Sequence, residues 1–203
     1  MPFIPLWVWR MRHPSFFRKD EYGDIFLKEE VISPDLLSYI PIGLSLQQAR
    51  CSAKERLKKT ADQFEWATSW LVHGKEFDSS KPEDSLLLVE DELLGEMGHC
   101  FLNSLGFGLG LIESNETALE VRYVEGLAIG ANDAFVHAWL TVNGRVLDPT
   151  WGDSFMCSYY GIEFEIPWVD ELFRKHNRIG LLFNWEAVRE EVENHIQARK
   201  DSP

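Results

Sequence analysis

His137 and Asp148 lie on either side of a predicted β-hairpin, where they could form a base and its orienting group. Asn143-Gly144 separates two apolar segments, and this dipeptide supplies the two positive-φ residues that a two-residue hairpin turn requires. Counting back from the turn puts His137 and Asp148 on one face, as diagonal neighbours about 7–8 Å apart. An imidazole and a carboxylate at that separation can hydrogen-bond.

A thiol at the start of a helix would supply the nucleophile for this base. The residues after Gly98 predict a helix that begins just before Cys100. The unpaired amides and the macrodipole at a helix N-terminus stabilise a thiolate. Cys100 could therefore form an ion pair with His137, and its own amide could contribute to an oxyanion hole.

Four segments of the chain resemble the core of the transglutaminase-like superfamily, a branch of the papain-like cysteine enzymes. They are Gly98-His99-Cys100, the stretch from Val121 to Gly126, His137-Ala138-Trp139, and the stretch from Leu147 to Gly152. Their order, Cys before His before Asp, is typical of that superfamily, and they fall within residues 95–162. The resemblance implies a nucleophile helix packed on a small antiparallel sheet. It makes Cys100 the nucleophile, His137 the general acid/base and Asp148 its orienting residue.

The sequence also departs from the family pattern. The connection between His and Asp is shorter than in many members, and Glu96 and Met97 stand where papain-type proteases place a glutamine before the nucleophile. The second oxyanion donor is therefore unassigned. The candidates for that donor or for the cleft are Trp151, Asn103, His99, Trp139 and Glu125.

Structural interpretations stand beside these functional ones. Cys100 could be a small buried apolar residue, and Asp148 could end its strand in an Asx-type turn. Trp139 and Trp151 could belong to the core. Glu125 could stabilise the site or bind a cation, or it could be a solvated carboxylate at a strand end. The His, Cys and Asp spacing matches no standard zinc pattern, so we expect neither a metal nor a cofactor.

The elements around these residues predict a single α+β domain over residues 1–203. Residues 1–90 form a mainly helical N-terminal region, with one long helix from Ser45 to Gly74 that leaves Cys51 partly exposed, and a second helix near 83–95. Residues 91–167 form the catalytic core, in which Tyr159 and Tyr160 are buried in a strand. The C-terminal part, 168–203, contains helices near 168–175 and 184–199.

The charge of the chain argues against binding to nucleic acid. The net charge is −13, with 11 basic against 9 acidic residues in 1–75 and 9 against 24 in 76–203. A phosphate-backbone binder needs clustered Lys and Arg. The first ten residues are apolar but interrupted by two prolines, too short for a membrane span and unlike a signal peptide, so we expect an apolar arm on the core. Three cysteines without a Cys-x-x-Cys pair favour a reducing cytoplasm.

These observations predict a thiol acyl-transfer enzyme that acts on a peptide or carboxamide bond through a thioester. Hydrolysis, as in a cysteine protease, amidase or deamidase, is favoured over amine transfer, because a small domain offers little surface for a second protein substrate. The alternative is a binding module of the same fold that contacts a partner protein. Its contact surfaces would be the acidic second part of the chain and the aromatic N-terminal arm, which contains Phe3, Trp7, Trp9, Phe16 and Phe17.

Overall fold

The structure is a computed structural model, and it describes residues 17–19, 25–27, 57–58, 65–77, 99–114, 119–129, 134–151 and 158–200. Within these ranges the chain forms four helices and seven strands, which confirms the α+β class. The helices are α1 (Glu65–His73), α2 (Cys100–Glu113), α3 (Ile166–His176) and α4 (Trp185–Lys200). The strands are β1 (Phe17–Lys19), β2 (Ile25–Leu27), β3 (Lys75–Phe77), β4 (Val121–Ile129), β5 (Ala134–Val142), β6 (Arg145–Leu147) and β7 (Ser158–Phe164).

Five of the strands form one antiparallel sheet in the order β3-β7-β4-β5-β6, and β1 pairs separately with β2. The central strand, β4, pairs with β5 from Val121 to Ile129 and with β7 from Tyr123 to Ile129. Gly126 faces Gly161 across β4 and β7. A Cβ on Gly161 would lie 2.7 Å from the Trp139 ring, so this glycine gives the indole room to pack against the sheet.

The predicted hairpin forms the junction of β5 and β6. Asn143 and Gly144 have φ values of 51° and 77°, and Val142 pairs with Arg145 as the two-residue turn requires. The last β6 residue, Leu147, pairs with Leu140. In the described part of the chain, β6 therefore pairs with the last three residues of β5.

The helices α2, α3 and α4 bury their apolar side chains against one face of the sheet. Their buried residues include Leu105 and Leu109 of α2, Val169 and Phe173 of α3, and Val188 and Val192 of α4. A smaller apolar cluster lies on the other face and comprises Phe77, Val124, Ala128, Trp139, Val146 and Tyr159. The sheet is thus buried on both sides, as the predicted burial of Tyr159 and Tyr160 requires.

The C-terminal helices agree with the sequence pattern. α3 has a proline in its first turn and ends at Asn177, whose φ of 51° stops the helix. In the N-terminal region the described helical residues are 57–58 and α1, and the chain after Gly74 forms the edge strand β3, which the pattern did not predict. The helix near 83–95, the arm at residues 1–10, Cys51 and Cys157 lie outside the described residues.

No helix among the described residues is both long enough and apolar enough to cross a membrane.

Candidate active site

Cys100 is the first residue of α2 and is 7% exposed. His99 is the N-cap residue, and its side chain makes no capping hydrogen bond. The first intrahelical bond runs from the Asn103 amide to the His99 carbonyl at 2.8 Å. The amides of Cys100 and of the next two residues therefore precede the helical hydrogen-bond ladder, beside the thiol, as the sequence predicted.

His137 and Asp148 make the predicted hydrogen bond, with 2.7 Å between Nε2 and Oδ2. Their side chains are 3% and 0% exposed. The hydroxyl of Tyr159 donates to the same Oδ2 at 2.8 Å. The other oxygen, Oδ1, accepts the amides of Thr150 at 2.9 Å and Trp151 at 3.0 Å. Asp148 thus forms the Asx-type turn with Oδ1 and orients the histidine with Oδ2.

The Cys100 thiol lies close enough to the His137 ring for the two groups to interact by charge and by hydrogen bonding. Since Nε2 is engaged by Asp148, Nδ1 is the ring nitrogen that remains for the thiol. Burial lowers the pKa of His137, but the charges of Asp148 and Cys100 and the hydrogen bonds to both outweigh it and raise the pKa to about 10. The three residues thus interact in one row, in which the protonated imidazole is favoured.

Two polar contacts of α2 hold its N-terminal half against β5 and the turn after β6. Ser104 Oγ donates to the Ala138 carbonyl at 2.9 Å, next to His137 on β5. Asn103 Nδ2 donates to Thr150 Oγ1 at 3.1 Å. Asn103, predicted as an oxyanion donor, is therefore engaged with the turn that contains the orienting carboxylate.

The two candidate tryptophans occupy different places. The Trp151 ring stacks on His137, with centroids 4.2 Å apart and planes 14° apart, and Trp151 is half-buried. Trp139 is 0% exposed and packs edge-on against Phe77. Trp139 is therefore a core residue and does not line a cleft. Its indole fits into the apolar cluster because Gly161 has no side chain at the point where the ring packs.

Glu125 is 0% exposed, so its interpretation as a solvated carboxylate is wrong. Its carboxylate accepts the Tyr123 hydroxyl at 2.7 Å, the Leu181 amide at 2.9 and 2.8 Å, and the Leu182 amide at 3.1 Å. Burial raises the pKa of Glu125 to about 7, and the bonds from Leu181, Tyr123 and Leu182 oppose that rise. Among the described residues, no group of three or more His, Cys, Asp or Glu could hold a metal ion.

Sequence reasoning missed two tyrosines of the site. Tyr159 was predicted as core, yet its hydroxyl is the second donor to Asp148 Oδ2. Tyr123 was treated only as a strand residue. Burial, then the neighbouring Glu125, and then the charge of Cys100 raise its pKa well above the ordinary value. The alternation of β4 places Tyr123 and Glu125 on one face, and this was the signal that they act together.

A buried thiol, an imidazole and a carboxylate that interact in one row can support nucleophilic attack followed by proton transfer. No metal is needed for such a reaction, because the imidazole supplies the proton transfers. Comparison with protein-family models, with curated proteins and with solved structures found no match.

Proposed function

We propose that this protein is a thiol acyl-transfer enzyme with a transglutaminase-like form of the papain-like fold. The observation that carries the proposal is the row Cys100, His137 and Asp148, in which a helix-terminal thiol meets an imidazole held by a buried carboxylate. Nucleophilic catalysis of this kind typically combines a nucleophile with a base that a third group orients. The four sequence segments that resemble the superfamily support the same conclusion.

The proposed reaction cleaves a peptide or carboxamide bond in two steps. The Cys100 thiolate attacks the carbonyl carbon, and the Cys100 amide donates to the oxygen that becomes negative. The His137 imidazolium then protonates the departing nitrogen as the C–N bond breaks, which leaves a thioester. Water attacks the thioester while His137 accepts its proton, the C–S bond breaks, and the carboxylic acid and the thiolate are released.

The electrostatics around His137 support its role as the first proton donor. Its raised pKa keeps the ring protonated at neutral pH, next to Cys100. Asp148 receives its other hydrogen bonds from neutral donors, the Tyr159 hydroxyl and two amides, so its charge is directed to the imidazole. We place this reaction in the cytoplasm, with a protein or peptide as substrate and without a cofactor.

Acylation of Cys100 by p-nitrophenyl acetate tests this function. We expect an initial burst of nitrophenolate, an acetyl group on Cys100 in the peptide mass spectrum, and its release by hydroxylamine. Cys100→Ala should abolish the burst, and Ser114→Ala, at the other end of α2, is the control that should keep it. Absence of acetyl from Cys100 in the native protein, or a burst unchanged in Cys100→Ala, would overturn the proposal.

A binding module is the second candidate, and a groove on another side of the molecule favours it. The groove has a volume of about 270 Å³ and lies between α4 and the β3–β7 edge. Its charged residues are Lys75, Glu163, Arg199 and Lys200, and His73 also lines it. This excess of basic groups in a chain of net charge −13 suits an acidic segment of a partner. If Cys100→Ala leaves the cellular phenotype unchanged, the binding module is the better explanation.

A further inference from the structure

The buried carboxylate of Glu125 lies outside the row Cys100, His137 and Asp148. It is fully buried on β4 and accepts hydrogen bonds from one hydroxyl and two backbone amides. A buried carboxylate is hydrogen-bonded by protein groups instead of water, and these charge-assisted bonds hold the three donors in place. The donors belong to β4 itself and to the segment 179–183 that joins α3 to α4.

The segment 179–183 packs against the first turn of α2. Gly180 has a φ of 85°, and a Cβ at this position would lie 3.4 Å from the Phe101 ring. Phe183 meets the same ring edge-on, with centroids 5.3 Å apart. Phe101 is the residue after Cys100, so the segment that Glu125 holds packs against the side chain next to the nucleophile.

The second connection to the nucleophile passes through Tyr123. Its hydroxyl donates to Glu125 Oε1 at 2.7 Å, and the charge of Cys100 acts on that hydroxyl. Tyr123 also packs edge-on against Phe173 of α3. In addition, the Trp70 indole donates to the Glu125 carbonyl at 2.6 Å, which fixes the β4 backbone at this point.

We propose that Glu125 is a positioning residue for Cys100. Its carboxylate holds the segment 179–183 and the Tyr123 hydroxyl in place next to the first turn of α2. The inference rests on the proposed function and adds a residue to it. Glu125 does not touch the substrate in this role. Its ionised form holds all three donors, whereas a protonated carboxyl has one acceptor position fewer and adds a donor.

Among the described residues, the titratable group that contacts Glu125 is Tyr123 on β4, and Cys100 of α2 interacts in turn with Tyr123. The segment 179–183 contributes only backbone amides to the carboxylate. Because the pKa of Glu125 is raised to about 7, the hydrogen bonds to its carboxylate should weaken as the pH falls below that value. The reactivity of Cys100 should then carry an inflection that belongs to Glu125.

The rate of Cys100 alkylation by iodoacetamide, measured as a function of pH, tests the inference. Cys51 and Cys157 in the same molecule are internal references. We expect Glu125→Gln to slow Cys100 alkylation about tenfold, because the NH2 group of Gln cannot accept a hydrogen bond and leaves at least one donor without its acceptor. The substitution should also remove the inflection near pH 7. Glu120→Gln, at an exposed carboxylate just before β4, is the matched control and should behave as wild type.

Tyr123→Phe provides a second measurement in case Glu125→Gln does not fold. The Tyr123 hydrogen bond lowers the pKa of Glu125, so removing it should move the inflection to higher pH. A purely structural role would not move it. Wild-type rates and pH dependence in Glu125→Gln, or an unmoved inflection in Tyr123→Phe, would overturn the inference and leave the proposed function intact. Slow alkylation of Cys100 relative to Cys51 and Cys157 in wild type would instead overturn both.

Discussion

His137 and His195 have the same kinds of neighbour in two parts of the molecule. His137 lies 2.7 Å from Asp148, and His195 lies 2.6 Å from Glu165. Each imidazole also stacks on an indole, with ring centroids 4.2 Å and 4.0 Å apart. Judged by these distances alone, the two arrangements are equivalent.

The surroundings of the two carboxylates distinguish them. The first pair is 3% and 0% exposed, and the second is 16% and 35% exposed. Asp148 receives its other bonds from neutral donors, whereas Glu165 shares its charge with Arg122 at 2.6 Å and Arg199 at 3.6 Å. Burial opposes ionisation of Glu165, but its own amide, Arg199 and His195 together lower its pKa. The carboxylate that pairs with a single imidazole, with a thiol beyond it, supports the proposed chemistry, whereas the carboxylate shared among several cations belongs to a partly exposed ion-pair network.

Removal of the carboxylate next to each histidine should give the largest difference between the two pairs, and this difference is in the free energy of unfolding. We expect Asp148→Ala to lower the free energy of unfolding by about 3–5 kcal/mol, because it leaves a buried imidazole and three further donors without their acceptor. Glu165→Ala should cost about 1 kcal/mol, since the ion pairs of this carboxylate are partly exposed to solvent and contribute less than buried ones. Urea unfolding of both variants and the wild type measures the difference.

Asp148→Asn controls for the loss of volume. It retains one acceptor oxygen for the amides of Thr150 and Trp151, and it should therefore be less destabilised than Asp148→Ala. If Asp148→Ala and Glu165→Ala have equal unfolding free energies, the distinction between a buried and a shared carboxylate is wrong.

Replacement of each imidazole tests which of the two acts on the thiol. His137→Gln should slow alkylation of Cys100 by about a hundredfold, the lower end of what a positioned acid/base group contributes. His195→Gln should leave the rate unchanged, because His195 contacts Glu165 and Trp168 and not Cys100. Iodoacetamide labelling at neutral pH, followed by peptide mass spectrometry, measures both rates. Equal rates in the two variants would contradict activation of Cys100 by His137.

The sequence was sufficient for the first histidine pair because its geometry is local. Asn143-Gly144 fixes the hairpin register, and the register alone brings His137 and Asp148 to one face. The helix that begins at Cys100 follows from its own apolar pattern. The predicted α+β class and the C-terminal helices rest on the same kind of local signal.

The remaining parts of the site depend on pairings that no local pattern encodes. Tyr159 reaches Asp148 because β7 pairs with β4, and β3 joins the sheet through β7. Glu125 is buried because the amides of Leu181 and Leu182, more than fifty residues away along the chain, provide its donors. Backbone donors carry no residue-type signal, so its burial could not be predicted from the types of its neighbours.

Removal of the thiol should give the smallest change, because it leaves the bond between His137 and Asp148 in place. The charge and hydrogen bond of Cys100 raise the pKa of His137, so Cys100→Ala should lower that pKa from about 10 and increase the neutral fraction of the ring at alkaline pH. Titration of the imidazole resonances by nuclear magnetic resonance measures this shift, and the His195 resonances in the same spectra are the internal control. A His137 curve that is identical in wild type and Cys100→Ala would mean that the thiol and the ring do not interact. In that case, His137 and His195 would both be structural histidines that differ only in burial.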